Sequence, residues 1–215
     1  MTQTSGSPIT EAVRGDDDLV EQFTRTSTSI ISDNLSRLPG GNGVRPFHRI
    51  EGVMAGRALT VRVPAGDNLF IHKALELIVP GTVLVVDGGG DTARALMGEI
   101  MATIAEVRGA AGVIIDGAIR DAGTIGRSSF PIFARTANHR GPYKHGPGEI
   151  GVPVSIGGMV VRTGDIIVGD EDGVVAFDPA IAADLYAACL KTEAMEVEMI
   201  ASIRAGTYKG AYAAH

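Results

Sequence analysis

The chain has 215 residues, of which 45% are hydrophobic and 20% are charged, and its net charge is −6. This composition supports a packed core, and the negative balance argues against a general nucleic-acid binder, which would carry a basic patch. The longest stretch without a charged side chain, residues 150–161, is shorter than the roughly 20 residues of a membrane helix. The N-terminal residues show no basic region followed by an apolar block, so we expect no secretory signal, and a single cysteine, Cys189, excludes an internal disulfide framework. We therefore expect a cytoplasmic protein without nucleic-acid or membrane partners.

Glycine is the residue type in clear excess, at 29 of 215 residues or about 13%, against a typical ~7%. Together with the 10 prolines it stays below the level that marks a low-complexity chain. We interpret the excess as turns and as sites where bare backbone meets a ligand closely.

The N-terminal part of the chain predicts two helices. Residues 1–15 are small and polar, and we expect them to be flexible except at their end. Three acidic residues, Asp16 to Asp18, would open the first helix, because carboxylates are favourable at a helix N-terminus. A second pattern with helical spacing runs from Ser29 to Leu38 and ends at Pro39-Gly40-Gly41.

Strands and helices alternate through the central part of the chain. Apolar runs rich in β-branched residues predict the strands, and stretches of helical periodicity that end before glycine predict the helices. The predicted strands are 57–63, 82–87, 112–116 and 131–134, and the predicted helices are 68–79 and a stretch that ends near Gly109.

The C-terminal part begins with a long loop rich in glycine and proline, residues 135–150, and such loops in compact domains are typically functional or flexible. The predicted strands that follow are 152–161, 165–169 and 174–177. The Asp172-Gly173 pair predicts a hairpin between the last two strands. A final helix has Pro179 in its first turn and Gly206 after its end. The pattern predicts a single mixed α/β domain that spans the whole chain.

The most concentrated polar cluster runs from Asp116 to Asp121 and directly follows a buried strand. The carboxyl ends of strands are where α/β proteins place ligands. Arg120 offers a planar fork suited to a carboxylate, and Asp121 offers a hard oxygen ligand suited to Mg²⁺. The alternative is an ion pair between Arg120 and Asp121 that only closes a turn, and the residue types alone leave both interpretations open.

A glycine-rich turn follows the strand 82–87. The sequence from Asp87 to Ala93 satisfies the G-x-G-x-x-G/A dinucleotide fingerprint. However, the acidic residue at the end of the next strand, Asp116, lies 26 residues past Gly90, where the fingerprint places it about 20 residues on. The match is weak, and the alternative is a tight turn that leaves a buried strand.

The secondary structure around Gly98 is open at this point. Ile100, Met101 and Ile104 repeat at helical spacing, so that Gly98 could lie in the middle of a helix. If Gly98 instead caps the helix, the free N–H groups of residues 99–101 would form an anion site, and glycine would let the anion approach.

Other chemistries have weaker support. A Schiff-base mechanism needs a buried lysine, and three of the four lysines fall in a loop, on the final helix or in the tail. The lysines are Lys73, Lys144, Lys191 and Lys209. His139 and His145 are too far apart for a compact zinc pair without further ligands. We expect Cys189 to lie in the core and His72 to face a helix-packing surface.

Several of these segments resemble the RraA-like family, which contains 4-hydroxy-4-methyl-2-oxoglutarate aldolases and regulators of ribonuclease E. The segments that carry the resemblance are 83–90, Gly98-Glu99, 113–121, 141–149 and 164–175. They occur in the right order, and the resemblance covers about residues 25–206.

The resemblance implies a swivelling β/β/α domain with helical N- and C-terminal extensions, which assembles as a trimer or hexamer with sites at subunit interfaces. It also implies that a helix starts near Gly98 and that Asp121 holds a divalent metal, Mg²⁺ or Mn²⁺. The implied substrate contacts are Arg120 and the backbone amides of Gly98, Glu99, Ile100 and Met101. We therefore expect Gly98 and Gly117 to be the glycines at which bare backbone meets a small anion.

In the enzymes of this family, a glutamate from the neighbouring subunit's C-terminal helix helps to hold a water molecule at the metal. Glu193, Glu196 and Glu198 are the candidates in this chain. We favour Glu196, so that the implied catalytic residues are Arg120 and Glu196.

The implied activity is a metal-dependent retro-aldol cleavage of 2-oxo-4-hydroxy acids to pyruvate, with oxaloacetate decarboxylation as a side activity. A metal that stabilises the enolate as a Lewis acid agrees with the scarcity of lysines. The first alternative is a non-catalytic regulator of a ribonuclease, which is disfavoured by the long C-terminal helix with its glutamates. A nucleotide-binding protein is the third hypothesis.

Overall fold

The structure is a computed structural model that describes residues 8–14, 17–37 and 40–210. Within these ranges the strands are β1 (Arg45–Pro46), β2 (Met54–Arg62), β3 (Thr82–Asp87), β4 (Ala95–Met97), β5 (Gly112–Ile119), β6 (Ile132–Ala137), β7 (Glu149–Ile150), β8 (Val154–Ile156), β9 (Met159–Val161), β10 (Ile166–Asp170) and β11 (Gly173–Phe177). The helices are α1 (Pro8–Ala12), α2 (Asp17–Gln22), α3 (Thr28–Asn34), α4 (Leu69–Leu75), α5 (Glu99–Val107), α6 (Ala122–Ile125) and α7 (Ala182–Arg204), with 3₁₀ turns at Phe23–Arg25 and Pro179–Ile181.

Nine of these strands form one sheet in the order β1-β6-β5-β3-β2-β10-β11, with β4 paired to β5 and β7 paired to β2. The central strands β2, β3, β5 and β6 run parallel to one another. Parallel neighbours need a crossover, and α4 makes it between β2 and β3. Strands β10 and β11 add an antiparallel hairpin to β2, and β8 and β9 form a separate antiparallel hairpin.

Alternate residues of the central strands face two different layers, as the two-residue period of a strand requires. On β3, Leu84 and Val86 share a core with α4 and α5, whereas Val83 and Val85 share a second core with the hairpin β8–β9. A third core lies between β10–β11 and the helices α3 and α7, with Phe23 among its members. The resulting layers of hairpin, sheet and helices confirm the predicted β/β/α fold class.

Two helices are shorter than the sequence predicts. The helix expected from Ser29 to Leu38 ends at Asn34, because the chain turns through positive φ angles of 59° and 60° at Ser36 and Arg37. The helix expected over 68–79 ends at Leu75, where the hydrogen bonds tighten to the spacing of three residues that marks a 3₁₀ turn. Among the predicted boundary residues, Asp16, Leu38 and Pro39 lie outside the described residues.

Both ends of the chain add helices to the sheet. Near the N-terminus, Val13 follows α1 and is buried in the core that contains α4 and α5; residues 1–7 and 15, for which flexibility is predicted, lie outside the described residues. At the C-terminus, the first half of α7 packs on the third core through Leu185 and Cys189. The second half, from residue 194 onward, is exposed apart from the partly exposed Ser202.

Candidate active site

Two strand ends meet at one edge of the sheet and bring predicted site residues together. Strand β4 pairs in parallel with the end of β5, with Met97 opposite Ile119. The Arg120 N–H donates a hydrogen bond of 2.9 Å to the Met97 carbonyl. Gly98, the first residue after β4, therefore lies beside Arg120, the first residue after β5.

Gly98 is the N-cap of α5, so that of the two alternatives the capping one is correct. The first bond within the helix joins the Ala102 N–H to the Gly98 carbonyl at 3.0 Å. The N–H groups of residues 99–101 precede this bond and have no acceptor within the helix. Because these groups and the helix dipole both favour negative charge, the start of α5 is suited to an anion.

The space around Gly98 leaves no room for a side chain. A Cβ atom at this position would overlap the Asp121 carboxylate and would lie 2.9 Å from Arg120 Cγ. The φ angle of Gly98 is −145°, a value that any residue can adopt. Glycine is therefore required for the close approach of Arg120 and Asp121, and not for the backbone conformation.

Asp121 joins the two sides of the site. Its backbone is left-handed, with a φ of 58°, a conformation that aspartate tolerates better than most residues. Its Oδ2 accepts a hydrogen bond of 3.0 Å from the Glu99 N–H and lies 3.7 Å from Arg120 Nε. The Glu99 amide is therefore occupied, and the amides of Ile100 and Met101 are the ones left for a ligand. Within the described part of the chain, no group donates to Oδ1 of Asp121.

A cavity of about 310 Å³ lies between α4, the start of α5 and the loop after β6. Its volume falls in the range of roughly 300–1,000 Å³ that is typical of small-molecule sites. It is lined by Asn68, His72, Ala95, Leu96, Met97, Gly98, Ile100, Met101, Arg120, Gly141, Pro142 and Lys144. We call it the amide cavity, because the start of α5 forms one of its walls.

A second and wider cavity of about 570 Å³ lies on the other side of Arg120. It is lined by Arg120, Asp121, Ala137, Asn138, His139 and Arg140. We call it the Asp121 cavity. Arg120 borders both cavities, whereas Asp121 lines only the second. Of the predicted substrate contacts, Glu99 lines neither cavity.

The loop between β6 and β7, residues 138–148, is held against the site by Arg94. One guanidinium nitrogen donates to the Gly141 carbonyl at 2.9 Å, and the other donates to the Tyr143 hydroxyl at 2.7 Å. The guanidinium also stacks on the Tyr143 ring, with its carbon 4.1 Å from the ring centroid. This loop, which the sequence leaves without secondary structure, therefore has a defined path along the amide cavity.

Asp67 fixes the same loop from the opposite side. Its carboxylate is buried and accepts hydrogen bonds from the N–H groups of Leu69, His145 and Gly146. Burial acts to raise the pKa of Asp67, but the three N–H donors and the nearby His145 charge outweigh it, and the pKa is lowered. An ionised Asp67 thus ties the loop to the start of α4.

Two residues of the amide cavity have a role that the sequence does not predict. The Lys144 ammonium donates to His72 Nε2 at 2.9 Å, and both side chains line the cavity. The expectation that His72 faces a helix-packing surface is therefore wrong, because the loop folds back over α4 and brings Lys144 against it. The two residues are 72 positions apart, and no spacing rule connects them. The one sequence signal is that Lys144 lies in the loop predicted to be functional.

Asp116 and Gly117 are separated from the site. The Asp116 carboxylate is buried, forms an ion pair with Arg135 and accepts the Gly157 N–H at 3.0 Å. It therefore links the sheet to the hairpin β8–β9. Gly117 is buried within β5, where a Cβ atom would meet Leu96 at 3.0 Å. The predicted polar cluster thus divides into a structural half and a half at the site.

The glycine-rich turn lacks the context of a dinucleotide fingerprint. Gly89 and Gly90 have φ angles of 67° and 69°, and the Gly90 N–H donates to the Asp116 carbonyl at 3.0 Å. The turn leads into β4, whereas the fingerprint needs a helix N-terminus at this point. The glycines serve a tight turn that precedes the site.

The three candidate glutamates lie on α7, away from both cavities of the same chain. Glu193 sits on the docked half, where burial and the charge of Glu193 raise the pKa of Cys189 to about 11. Glu196 and Glu198 are exposed on the half that extends beyond the domain. A glutamate of α7 could therefore reach a site only in another copy of the chain.

Asp121 has no companion that would complete a cage of protein ligands. In the described part of the chain, no three Asp, Glu, His or Cys side chains come together as metal ligands. A single carboxylate with water ligands is a common way to hold Mg²⁺, so that the exposed Asp121 fits such an ion. In the same described ranges, no helix is long and apolar enough to cross a membrane.

Comparison with known sequences places these features in a family. The sequence model of the RraA-like family, described as Aldolase/RraA, matches residues 28–176. A protein of Halalkalibacterium halodurans, provisionally named as a 4-hydroxy-4-methyl-2-oxoglutarate aldolase, is 42% identical over 158 residues, which cover 73% of this chain and 75% of the relative. A 4-hydroxy-4-methyl-2-oxoglutarate aldolase of Thermus thermophilus is 39% identical over 121 residues, which cover 56% of this chain and 73% of the relative.

Solved structures agree with the sequence comparison. RraA from Thermus thermophilus, described as an RNA-processing inhibitor, matches with a TM-score of 0.64 and 33% identity over 71% of this chain and 93% of its own. RraAS2 from Streptomyces coelicolor, described as an unusual member of the RNase ES inhibitor RraA family, matches with a TM-score of 0.75 and 26% identity over 85% of this chain and 96% of its own. The chain belongs to the RraA-like family.

Proposed function

We propose that this protein is a divalent-metal-dependent aldolase that cleaves 2-oxo-4-hydroxy acids of the 4-hydroxy-4-methyl-2-oxoglutarate type to pyruvate. The observation that carries the proposal is the convergence of Arg120, the free amides at the start of α5 and the Asp121 carboxylate at the end of β5. The aldolase names of the relatives support the same reaction class.

The reaction needs stabilisation of negative charge. The bond between C3 and C4 of the substrate breaks, the C4 hydroxyl loses its proton and becomes a carbonyl, and the bonding electrons stay on the pyruvoyl half as an enolate. A proton delivered to C3 then gives pyruvate. Charge-assisted hydrogen bonds from a positioned arginine and from helix amides are suited to holding such an anion.

Arg120 and the start of α5 would divide this task. Ile100 and Met101 line the amide cavity, and their free N–H groups would bind the substrate carboxylate. Arg120, between the two cavities, would neutralise the developing enolate. Because Gly98 carries no side chain, Arg120 and Asp121 can both approach the start of α5, where the anion would bind.

Asp121 would hold the metal ion, Mg²⁺ or Mn²⁺, through its carboxylate. When bound, the cation supplies Lewis-acid stabilisation of the negative charge on the 2-oxo oxygen. Asp121 also accepts the Glu99 N–H, so that the backbone orients its carboxylate before any ligand binds. The same enolate chemistry would decarboxylate oxaloacetate, which is the proposed side activity.

The exposed half of α7 supports an assembly in which sites are completed between subunits. Met195, Met199 and Ile203 follow one another at intervals of four residues and form an exposed apolar stripe on that half. If a neighbouring copy covered this stripe, Glu196 of the first copy would lie near Arg120 of the neighbour. We propose a trimer or hexamer in which Glu196 of the partner subunit takes part in proton transfer.

The titles of the structural neighbours favour a second candidate function. The Thermus thermophilus protein is described as an RNA-processing inhibitor, and the Streptomyces coelicolor protein as an unusual member of the RNase ES inhibitor RraA family. A regulator of this kind would need no metal and no turnover, so that a measurement of catalysis separates the two functions.

Release of pyruvate is the direct test of the aldolase. The purified protein is freed of metal with EDTA, and pyruvate is followed with lactate dehydrogenase and NADH after addition of 4-hydroxy-4-methyl-2-oxoglutarate or oxaloacetate. We expect turnover of both compounds that depends on added Mg²⁺ or Mn²⁺. Failure to release pyruvate from either compound would exclude the aldolase, and binding to a ribonuclease without turnover would then favour the second candidate.

A further inference from the structure

The amide cavity carries more positive charge than one carboxylate needs. Arg120 and Lys144 both line it, whereas none of its lining residues is an aspartate or glutamate. The chain as a whole has a net charge of −6, so that this local excess of positive charge runs against the overall balance. Such an arrangement favours a ligand with two negative groups.

Lys144 is available to a ligand. Its one hydrogen bond in the described residues is the one to His72 Nε2, and in the same residues it forms no ion pair. Since a lysine ammonium has three N–H donors, two remain. Burial and the Lys144 charge both lower the pKa of His72, so that the imidazole is neutral at pH 7 and can accept the Lys144 proton. His72 therefore orients the ammonium without neutralising it.

The backbone on either side of Lys144 is fixed, which is unusual for an exposed lysine. Before it, the Tyr143 N–H donates to the Gly66 carbonyl at 2.8 Å, and the Tyr143 carbonyl accepts the Asn68 N–H at 3.0 Å. After it, the Asp67 carboxylate holds the N–H groups of His145 and Gly146. The ammonium thus has a defined starting position at the wall of the cavity, which lowers the entropy lost on binding.

We propose that Lys144, positioned by His72, binds the second carboxylate of a dicarboxylic substrate whose 2-oxo acid end occupies the start of α5 and Arg120. This inference rests on the proposed function and assigns to Lys144 the recognition of the carboxylate on the half released by cleavage. Lys144 is then a specificity-determining residue, because a substrate with a methyl group in place of that carboxylate would leave the ammonium without its partner.

Binding of two matched ligands tests this without catalysis. Calorimetry in the presence of Mg²⁺ compares 2-oxoglutarate, which has the second carboxylate, with 2-oxopentanoate, which has a methyl group there. We expect wild type to prefer 2-oxoglutarate, and Lys144→Met to lose roughly 10- to 100-fold in affinity for it, the range of one charge-assisted hydrogen bond. The affinity for 2-oxopentanoate should change less than about threefold, because that ligand makes no contact with the ammonium.

Lys73→Met is the matched control. Lys73 is also exposed, lies next to His72 in sequence and rests on the Phe70 ring at 4.1 Å, but it does not line the cavity. Its loss removes the same charge from the neighbourhood and should leave the preference intact. Lys144→Arg should restore most of the preference, because the positive charge is kept. The proposal would be overturned if Lys73→Met and Lys144→Met lowered the affinity for 2-oxoglutarate equally. It would also be overturned if Lys144→Met lowered the affinities for 2-oxoglutarate and 2-oxopentanoate by the same factor.

Turnover separates this inference from the proposed function. If wild type cleaves 4-hydroxy-4-methyl-2-oxoglutarate, Lys144→Met should raise its KM and leave kcat nearly unchanged, while 4-hydroxy-4-methyl-2-oxopentanoate is cleaved as by wild type. An unchanged KM for the dicarboxylate would refute the role of Lys144. If wild type cleaves neither compound, the aldolase is excluded, and the ligand preference in calorimetry still decides whether Lys144 selects dicarboxylates.

Discussion

Asp121 combines a backbone role with a chemical one, and the two can be separated by substitution. Its Oδ2 accepts the Glu99 N–H, which orients the carboxylate toward the start of α5. An asparagine amide oxygen can accept the same hydrogen bond but carries no charge. Substitution by asparagine therefore removes the metal-binding charge and keeps the local structure.

We predict that Asp121→Asn weakens the activation of turnover by Mg²⁺. The concentration of Mg²⁺ that gives half-maximal pyruvate release should rise at least about tenfold, because a neutral amide is a poorer ligand for a hard cation. Asp91→Asn is the control, since Asp91 also accepts a backbone N–H, that of Ala93 at 3.2 Å, and lines neither cavity. Wild-type metal activation in Asp121→Asn would show that the ion is held elsewhere.

At the scale of single residues, the sequence predicts what is local in the chain. Arg120 and Asp121 follow a buried strand directly, and the carboxyl end of a strand is where ligands bind. Lys144 and His72 meet only because a loop folds back, which no local pattern encodes. Gly117, expected at the anion site with Gly98, proves to be a packing glycine inside β5. Both glycines lack a side chain for reasons of space, and only the three-dimensional neighbours distinguish them.

The loop of residues 138–148 is the element that closes the amide cavity, and Asp67 is its buried anchor. The lowered pKa of Asp67 means that folding favours the ionised carboxylate. The associated stability is fully present above the unfolded-state pKa, near 3.9, and is lost as the pH falls through the lower folded-state pKa.

We predict that Asp67→Asn lowers the free energy of unfolding at pH 7 by about 1–3 kcal/mol, because an amide offers one acceptor where the carboxylate has two. Urea unfolding between pH 3 and pH 7 should show a steeper loss of stability in acid for wild type than for the variant. The variant should also show the weaker binding of 2-oxoglutarate that follows from a displaced Lys144.

Asp165 provides a control, because its pKa is shifted in the opposite direction to that of Asp67. Burial raises the pKa of Asp165, although its carboxylate accepts the Arg162 N–H at 2.7 Å. Ionisation of this residue therefore opposes folding as the pH rises through the raised pKa. Asp165→Asn should leave stability at pH 7 unchanged or increase it, and an equal loss in both variants would contradict the assignment of Asp67 as an anchor.

Helices and strands were predictable where the hydrophobic periodicity and the turn residues at the ends of a segment agree. The strands β3 and β5 are apolar runs bounded by turns, and the hairpin β10–β11 follows from its Asp-Gly pair, with Asp170 opposite Gly173. Helix ends were less predictable, because α4 ends at Leu75 although apolar residues continue. Those residues enter a 3₁₀ turn that still packs on the core, so that the pattern persists after the helix has stopped.

At the scale of the whole molecule, a single chain leaves two things incomplete. The exposed half of α7 presents an apolar stripe that a neighbour would cover, and the site at Arg120 has no glutamate of its own in either cavity. Contiguous exposed apolar surface of this kind marks a contact with another protein. An arrangement in which α7 of one subunit lies against the site of the next would both cover the stripe and supply a glutamate to the site.

We predict that the wild type is an oligomer in light scattering and that Met199→Asp combined with Ile203→Asp gives monomers of 22.3 kDa, because two charges in a covered apolar contact are costly to desolvate. Pyruvate release should be lost with the assembly. Ala187→Asp is the control, because this position is also exposed on α7 but lies on the docked half. It should leave both mass and turnover as in wild type.

Glu196→Gln separates assembly from chemistry. It keeps the apolar stripe and should therefore keep the mass, while turnover falls because the carboxylate that would take part in proton transfer is gone. Mixing this variant with Arg120→Ala should restore part of the activity, since a mixed assembly can place an intact Glu196 from one chain against an intact Arg120 of another. Two inactive proteins that regain activity on mixing would establish a site shared between subunits. No recovery in an assembly shown to exchange subunits would place the proton-transfer group within a single chain.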